Sequence, residues 1–415
     1  MRNPTSPRTI AFFLPQFHAI PENDEWWGEG FTEWTNTRKA TPAFEAHDHP
    51  RVPHDEHYFD LTDPAELRSQ AELAHRYGVD AFCIYFYWFE GGQRLLERPL
   101  DLYREMEDSP TPFCISWANE NWTRRWDGRD SQVLVGQDYG PDTAREVYDA
   151  FRPYLKAKHY LTQDGRPVLL VHRTDLLPDP AAYAAEWRRL AHEDGLPGLH
   201  LVASETRAGI DPREWGFDAL AEFPPVSQSG LASAQLLPPK GLDKAFRGRL
   251  LSYRKVARNA LRRSPAPFVR YRGVMPAWDN SARRGHSATV FIGHTPEIFR
   301  AWLTQALRRE RQDRQGRGMV FINAWNEWAE GAYLQPDQTH GFGYLEATAA
   351  AVRDAADPDS TAMAGPLPAS GESIGSVRWH VGHARAVANA AAASALGRGR
   401  WLRAQLRRVA PRRRR

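Results

Sequence analysis

Eight apolar, β-prone runs recur along the first 325 residues, and they restrict the fold more than any other feature. They span residues 9–14, 79–87, 112–117, 167–172, 199–204, 217–223, 271–278 and 319–325. Most are continuous rather than alternating in polarity, as strands of a parallel sheet are when both faces are covered. Helical patterns lie between them, at 64–77, 142–156, 180–192, 242–261 and 296–311. The first of these has Asp63 placed as an N-cap, Pro64 in the first turn and Gly78 as a stop. Eight strands alternating with helices over roughly 350 residues predict an α/β fold, a (β/α)8 TIM barrel with loop insertions. The weakest units are the sixth and seventh, where a Ser/Gln/Pro-rich loop and an arginine-rich segment intervene.

A barrel of this kind carries its chemistry at the C-terminal ends of the strands, and polar and aromatic residues do gather there. Gln16 and His18 follow the first run, and an insertion then brings Trp26, Trp27, Glu29, Glu33 and Trp34. The second run ends in Tyr87, Trp88, Phe89 and Glu90. The third ends in Trp117, Asn119, Glu120, Asn121 and Trp122, with Arg124, Arg125, Trp126 and Asp127 beyond. Arg173 and Asp175 follow the fourth, Glu205 the fifth, and Glu222 lies near the end of the sixth. The seventh carries Trp278, Asp279 and Asn280, and the eighth Asn323, Trp325, Asn326, Glu327, Trp328 and Glu330. A strand that ends in two carboxylates, amides and tryptophans is poor core design, since buried unpaired carboxylates are costly. Aromatic faces beside hydrogen-bonding groups suit a saccharide.

Glycosidic bond cleavage uses two carboxyl groups, one to protonate the leaving oxygen and one as nucleophile or base. Glu327 and Glu330 supply such a pair, and Trp325 and Trp328 beside them could raise one pKa by desolvation. Glu120 competes for a catalytic role; Asn119 and Glu120 also suit bidentate bonds to sugar hydroxyls, and the nearby arginines an anionic group. His47, His49, His54 and His57 cluster in the insertion, but their spacing fits no standard zinc motif, so no metal is expected. Gly28-Glu-Gly30 lacks the third glycine and the strand–helix setting of a dinucleotide site, and no phosphate loop occurs, so no cofactor is expected either.

The two cysteines, Cys83 and Cys114, fall in predicted buried strands and read as small hydrophobes. The early apolar patch is too short for a secretory signal core, which makes a cytoplasmic protein the expectation. Residues 1–356 are read as the barrel, 357–376 as a Pro/Gly/Ser/Ala-rich linker, and 377–415 as an Ala/Arg-rich basic tail, partly helical or disordered. No acidic residue follows Glu372, and nine arginines lie between Arg398 and Arg415. Such a tail suits a weak contact with anionic membrane lipid, peripheral to the inner membrane; nucleic acid is not expected, because the basic charge is confined to the tail.

Five segments make the chain recognisable. FFLPQFHAIPENDEWWGEGFTEW (12–34), YFDLTDP (58–64), CIYFYWFEG (83–91), WANENWTRRWDG (117–128) and WNEWAEGAYLQP (325–336) together resemble the WbsX-type proteins of bacterial surface-polysaccharide gene clusters, also described as glycoside hydrolase family 99-like. The resemblance covers residues 9 to 350 and implies a (β/α)8 barrel. Its fold relatives are metal-independent endo-α-mannosidases whose WNEW-x-E-like motif supplies both acids. Carried over, the resemblance implies that Glu327 deprotonates the substrate's 2-hydroxyl, which attacks the anomeric carbon to give a 1,2-anhydro sugar. Glu330 then protonates the leaving oxygen and afterwards activates water, with net retention. That chemistry requires the 2-hydroxyl trans to the leaving group, as in α-mannose or α-rhamnose. The chain departs from the family 99 hydrolases in its PQFH and WWGEGFTEW region, so their donor pocket is not carried over. Three functions are compatible with this reading: a retaining hydrolase or transglycosylase of a bacterial polysaccharide, a glycosyltransferase of O-antigen or surface-polysaccharide assembly, and a non-catalytic glycan-binding barrel.

Overall fold

The computed structural model describes residues 6–124, 129–226, 230–314, 317–357, 359–363 and 365–369. Eight parallel strands close on themselves: β1 (Arg8–Phe13), β2 (Ala81–Trp88), β3 (Phe113–Trp117), β4 (Arg166–Val171), β5 (His200–Ser204), β6 (Ala219–Ala221), β7 (Arg270–Val274) and β8 (Met319–Ile322). Each pairs with the next, and β1 pairs with both β2 and β8, with Ile10 opposite Ala81 on one side and Phe321 on the other. The (β/α)8 barrel read from the sequence is therefore the fold.

The continuous apolar runs are explained by burial on two sides. Successive strand residues point to opposite faces, so Phe12 enters the barrel against Phe223 and Phe321, while Phe13 meets Phe82 in the layer beneath the helices. Trp187 and Trp302 fill that outer layer and are fully buried. Helix α3 (Pro64–Arg76) joins β1 to β2, α4 (Glu97–Glu105) joins β2 to β3, α5 (Thr143–Leu155) joins β3 to β4, and α6 (Pro180–Glu193) joins β4 to β5. Two of them start as their sequences require: Asp63 accepts from the Ala65 N–H and Asp179 from the Ala182 N–H, each before a proline in the first turn. Between β5 and β6 there is only a 3-10 turn, Pro212–Trp215.

The helix expected over 242–261 is half as long. Helix α7 spans Tyr253–Leu261, and Arg249–Ser252 instead form a short strand paired in parallel with Thr289–Ile292. The backbones approach so closely that a Cβ on Gly248 would lie 1.9 Å from the Ala288 carbonyl oxygen. Helix α9 (Pro296–Arg314) precedes β8, and α10 (Gly343–Ala356) packs beside α9. Part of the segment read as a linker is held on the barrel: Arg308 donates to the Ser360 and Ala362 carbonyls, and Arg254 to those of Leu367 and Pro368. The basic tail lies outside the described residues. Among those described, no helix is long and apolar enough to cross a membrane.

Three small elements surround the strand ends at the C-terminal rim: α1 (Pro21–Trp27) and α2 (Glu33–Lys39) from the insertion after β1, and α8 (Ser281–Arg284) after β7.

Candidate active site

A cavity of about 450 Å³ opens at the C-terminal ends of the strands. Trp26 and Trp27 from α1, Tyr85 and Tyr87 from β2, Trp122, Phe223 and Trp278 give it aromatic walls. Gln16, Asn23, Glu120, His172, Arg173, Thr206, Asn280, Arg283, Arg284, Glu327 and Glu330 give it polar ones. Trp122 is braced edge-on by Tyr87, Phe89 and Trp26 at ring distances of 5.2, 5.5 and 5.9 Å. Packed this way, the ring is fixed before any ligand arrives, which lowers the ordering cost of binding.

The carboxylates sit on a tight hairpin. Strand β8 ends at Ile322, and Asn326–Glu327 then pair antiparallel with Ala332–Tyr333. Between them Trp328–Glu330 make one 3-10 turn, closed by Gly331 at φ 59°. Only glycine fits at 331, because a Cβ there would meet the Arg51 guanidinium carbon at 2.9 Å and Asp279 at 3.0 Å. The neighbours of the two acids pin the hairpin. Asn326 exchanges hydrogen bonds with both the N–H and C=O of Leu14, at 2.7 and 2.9 Å. Trp325 donates from Nε1 to Gln70, while Trp328 donates to Gln335 and stacks on Tyr333 at 3.9 Å.

Arg283 stands between three carboxylates. Its Nη1 donates to Glu330 Oε1, and its Nη2 donates to Glu327 Oε2 at 3.2 Å and to Glu33 at 3.1 and 3.2 Å. Burial, and next the facing Glu330 charge, hold the Glu327 carboxyl well above the usual carboxylate range, against the pull of Arg283. Burial also raises Glu330, again opposed by Arg283. The two acids titrate as one unit, and Glu327, the less exposed, is pushed further. Burial raises the hydroxyls of Tyr85 and Tyr87 as well, so both face the acids as neutral donors.

Behind Glu330 lies a second polar centre. The Asp279 N–H donates to the Glu330 carbonyl at 2.6 Å. Its carboxylate meets His47 Nε2 at 2.6 Å and His49 Nε2 at 2.8 Å, and accepts from the Ser281 N–H at 3.0 Å. Arg51 lies 3.7 Å away, and against the effect of burial the hydrogen bonds from His47 and His49 keep the Asp279 carboxyl well below its ordinary range. His47, His49 and Asp279 are close enough to share an ion, yet the Nδ1 of His47 accepts the Ala43 N–H at 2.9 Å. The proton of the neutral His47 ring is therefore on Nε2, directed at Asp279. That tautomer makes the cluster a hydrogen-bond hub and does not fit a metal ligand set. The neighbouring Asp48, Asp337 and His340 also converge, but Tyr333 and the His340 N–H already engage Asp337, and Thr339 engages Asp48. His54 and His57 pair with Asp55 and Glu66 at the surface.

Of the residues singled out from the sequence, Gln16, Trp26, Trp27, Tyr87, Glu120, Asn121, Trp122, Arg173, Trp278, Asn280, Glu327 and Glu330 line the cavity. Glu120 is held by Arg173, which also binds Asp175. Glu33 stands one layer back, on Arg283. The others do not reach the cavity. Trp34 packs against Phe17, Tyr58, Phe59 and Trp328, and Trp88 and Trp117 pack together under the helices. His18 is buried near Asp60. Asn119 bridges the backbone of Arg173 and the Tyr139 hydroxyl. Glu205 and Glu222 are both taken by Arg263, and Glu222 also by the Gly273 N–H. Trp325, Asn326 and Trp328 support the hairpin rather than line the cavity. Arg125 and Trp126 lie outside the described residues.

Sequence reasoning missed Arg283, Arg284, Tyr85, His172, Asn23, Thr206 and Phe223. Period-2 alternation from Tyr87 points to Tyr85, and the strand-end rule points to His172 just after β4. Nothing in the sequence marks Arg283.

A family model described as glycosyltransferase WbsX matches residues 9–348. A protein of Xanthomonas campestris pv. campestris, "Uncharacterized protein WxcX", is 42% identical over 358 residues, 85% of this chain and 51% of its own length. Its counterpart in a second strain of that organism gives the same figures. The chain thus spans about half the length of the curated relatives it matches. Among solved structures, the GH99 endo-alpha-mannosidase from Bacteroides thetaiotaomicron is similar with a TM-score of 0.52 at 13% identity, covering 84% of this chain and 97% of that one. A "Glycoside hydrolase-like protein" has a TM-score of 0.52 at 14% identity, covering 84% and 94%. At such identity the likeness is one of fold.

Proposed function

The chain belongs to the WbsX glycosyltransferase family, and from that premise we propose that it is a carbohydrate-active enzyme that cleaves or transglycosylates a glycosidic bond in a bacterial surface polysaccharide. One observation carries this reading: Glu327, buried, and Glu330, partly buried, are both bonded to Arg283 and face an aromatic-walled cavity. Two acids raised above their ordinary range and sharing one cation are suited to hold one proton between them. Acid-assisted glycoside cleavage begins from that state, with one group charged and one neutral.

Glu330 is the proposed acid for the leaving oxygen, and Glu327 the base for the sugar's 2-hydroxyl. Before a sugar binds, burial favours the proton on Glu327. A hydroxyl donated to Glu327 favours its ionised form, so sugar binding moves the proton toward Glu330, where the reaction needs it. The 2-hydroxyl then attacks C1 as the glycosidic C–O bond breaks. Its proton passes to Glu327 and the proton of Glu330 goes to the leaving oxygen. Water, deprotonated by Glu330, opens the anhydro ring at C1 with retention, and Glu327 returns its proton to O2. Sugars with α-manno or α-rhamno configuration meet the stereochemical demand. Trp122 and Trp278 offer faces for flanking residues, and Glu120 with Arg173 offers hydroxyl ligands.

The test is release of reducing ends from a panel of α-mannose- and α-rhamnose-containing bacterial polysaccharides, with no nucleotide sugar added. Glu330→Gln should abolish release while retaining binding. Full turnover in both Glu327→Gln and Glu330→Gln would overturn the assignment. The family's description favours a second reading, a glycosyltransferase of surface-polysaccharide assembly. Heat on titration with a nucleotide sugar would support it, and silence across a donor panel would count against it.

A further inference from the structure

The pair of acids is not left to hold its own geometry. Glu33 is fully buried, and it accepts from two donors that both belong to the site. One is the Arg283 Nη2, and the other is the Ala329 N–H at 2.8 Å. Ala329 lies between Glu327 and Glu330 in the chain. Glu33 therefore grips the backbone that carries the acids together with the side chain that bridges them. It belongs to the insertion after β1 and Arg283 to α8 after β7, so elements on both sides of the closing strand meet at the acids.

We propose that Arg283 and Glu33 form a positioning pair for the reaction, Arg283 spanning Glu327 and Glu330 to fix their approach and Glu33 locking Arg283 and the hairpin in place. The proposal rests on reading Glu327 and Glu330 as the reacting acids. A guanidinium suits the task because its planar fork reaches several oxygens in fixed directions, which an ammonium does not do.

Charge gives the pair a second effect. Arg283 is bonded to three carboxylates at once, Glu33, Glu327 and Glu330, and burial keeps both acids above their ordinary range. Arg283 pulls them down and Glu33 pushes them up. The other groups facing the acids are Arg284 from α8, and Tyr85 and Tyr87 from β2, with Glu120, His172 and Arg173 lining the same cavity. Asp279 faces Glu330 with its N–H, its carboxylate being turned to His47 and His49.

Arg283 and Glu33 thus act on the acids in opposite directions, which a merely structural pair would not do. The experiment tracks the glutamate side-chain carbonyls by NMR in the full chain labelled with 13Cδ-glutamate, the resonances assigned with Glu327→Gln and Glu330→Gln. Arg283→Met should move the titration of the pair up by about one pH unit or more. Glu33→Gln, which keeps shape and loses charge, should move it down. Arg283→Lys should leave the titration close to that of the parent. Shifts in the same direction, or no shift, overturn the proposal. If Arg283→Met fails to fold, Glu33→Gln decides alone: a downward shift supports the pair, and an unchanged or upward one overturns it. No saccharide is needed, so this result stands apart from the polysaccharide assay that tests the proposed function.

Discussion

Replacing Asp279 should both destabilise the protein and disorder the site. The carboxylate is 2% exposed, bonded to His47, His49 and Ser281, and 3.7 Å from Arg51. A hydrogen bond to a buried carboxylate is worth about 1.5–3 kcal/mol, and removing one partner of a buried ion pair costs about 3–5 kcal/mol. The bonds share one site and do not add, so Asp279→Ala should cost about 4 kcal/mol, mostly from leaving Arg51 buried without its nearest carboxylate. Asp279→Asn keeps an acceptor for Ser281 but also leaves Arg51 without its carboxylate and turns an amide donor toward the His47 Nε2–H, and should cost nearly as much. Urea unfolding at pH 7.5, followed by tryptophan fluorescence, reads the change from the shift in midpoint at constant slope. The depressed Asp279 pKa sets the sign of the pH dependence. Its contribution is complete above the unfolded carboxyl value of about 3.9 and is lost only as pH falls toward the lower folded value. The cost of the substitution should therefore be the same at pH 6 and pH 8. A loss under about 1 kcal/mol, or one that vanishes at pH 6, would refute the reasoning.

Trp122→Ala removes a ring fixed by three aromatic neighbours, and should weaken binding of a cognate oligosaccharide about tenfold, or about 1.4 kcal/mol, by calorimetry; unchanged affinity would remove Trp122 from the site. Acid should weaken the fold well above the carboxylate range. His200 and His294 are pushed down to about 4 and about 3 by burial, so the unfolded chain takes up their protons first, from about pH 6.5 downward. Between pH 6.5 and 5 the two together should cost about 3 kcal/mol, so the urea midpoint should fall less in a His200→Gln, His294→Gln variant than in the parent, and an equal fall would refute it.

The barrel was legible because both faces of its strands are covered, which writes strands as uninterrupted apolar runs. Legibility failed where local pattern and tertiary pairing disagree. Residues 249–252 lie in a stretch with helical periodicity, but their strand forms against residues 289–292, a partner that no local pattern announces. The acids were legible because a carboxylate pair beside a strand end has no structural excuse. The tryptophans were not separable by type. Trp88 and Tyr87 are adjacent, yet alternation sends Tyr87 to the cavity and Trp88 to the helix layer. Arg283 was invisible because it is one of 54 lysines and arginines and sits on a four-residue helix. Its meaning arises only from what the barrel brings beside it.

The bond from Glu33 to Ala329 spans 296 residues of chain, and those of Asn326 to Leu14 span 312. Contacts of such sequence separation form late, after the loop entropy of everything between them has been met. Strand β1 waits for β8, and the hairpin of the acids waits for both. A chain folded only as far as its seventh strand would have the aromatic cavity walls from β2 and β3 but no acids. The site therefore reports on completion of the fold: an activity assay measures barrel closure as directly as any probe of secondary structure. A variant that frays the junction of β1 and β8 should lose activity before it loses helical signal.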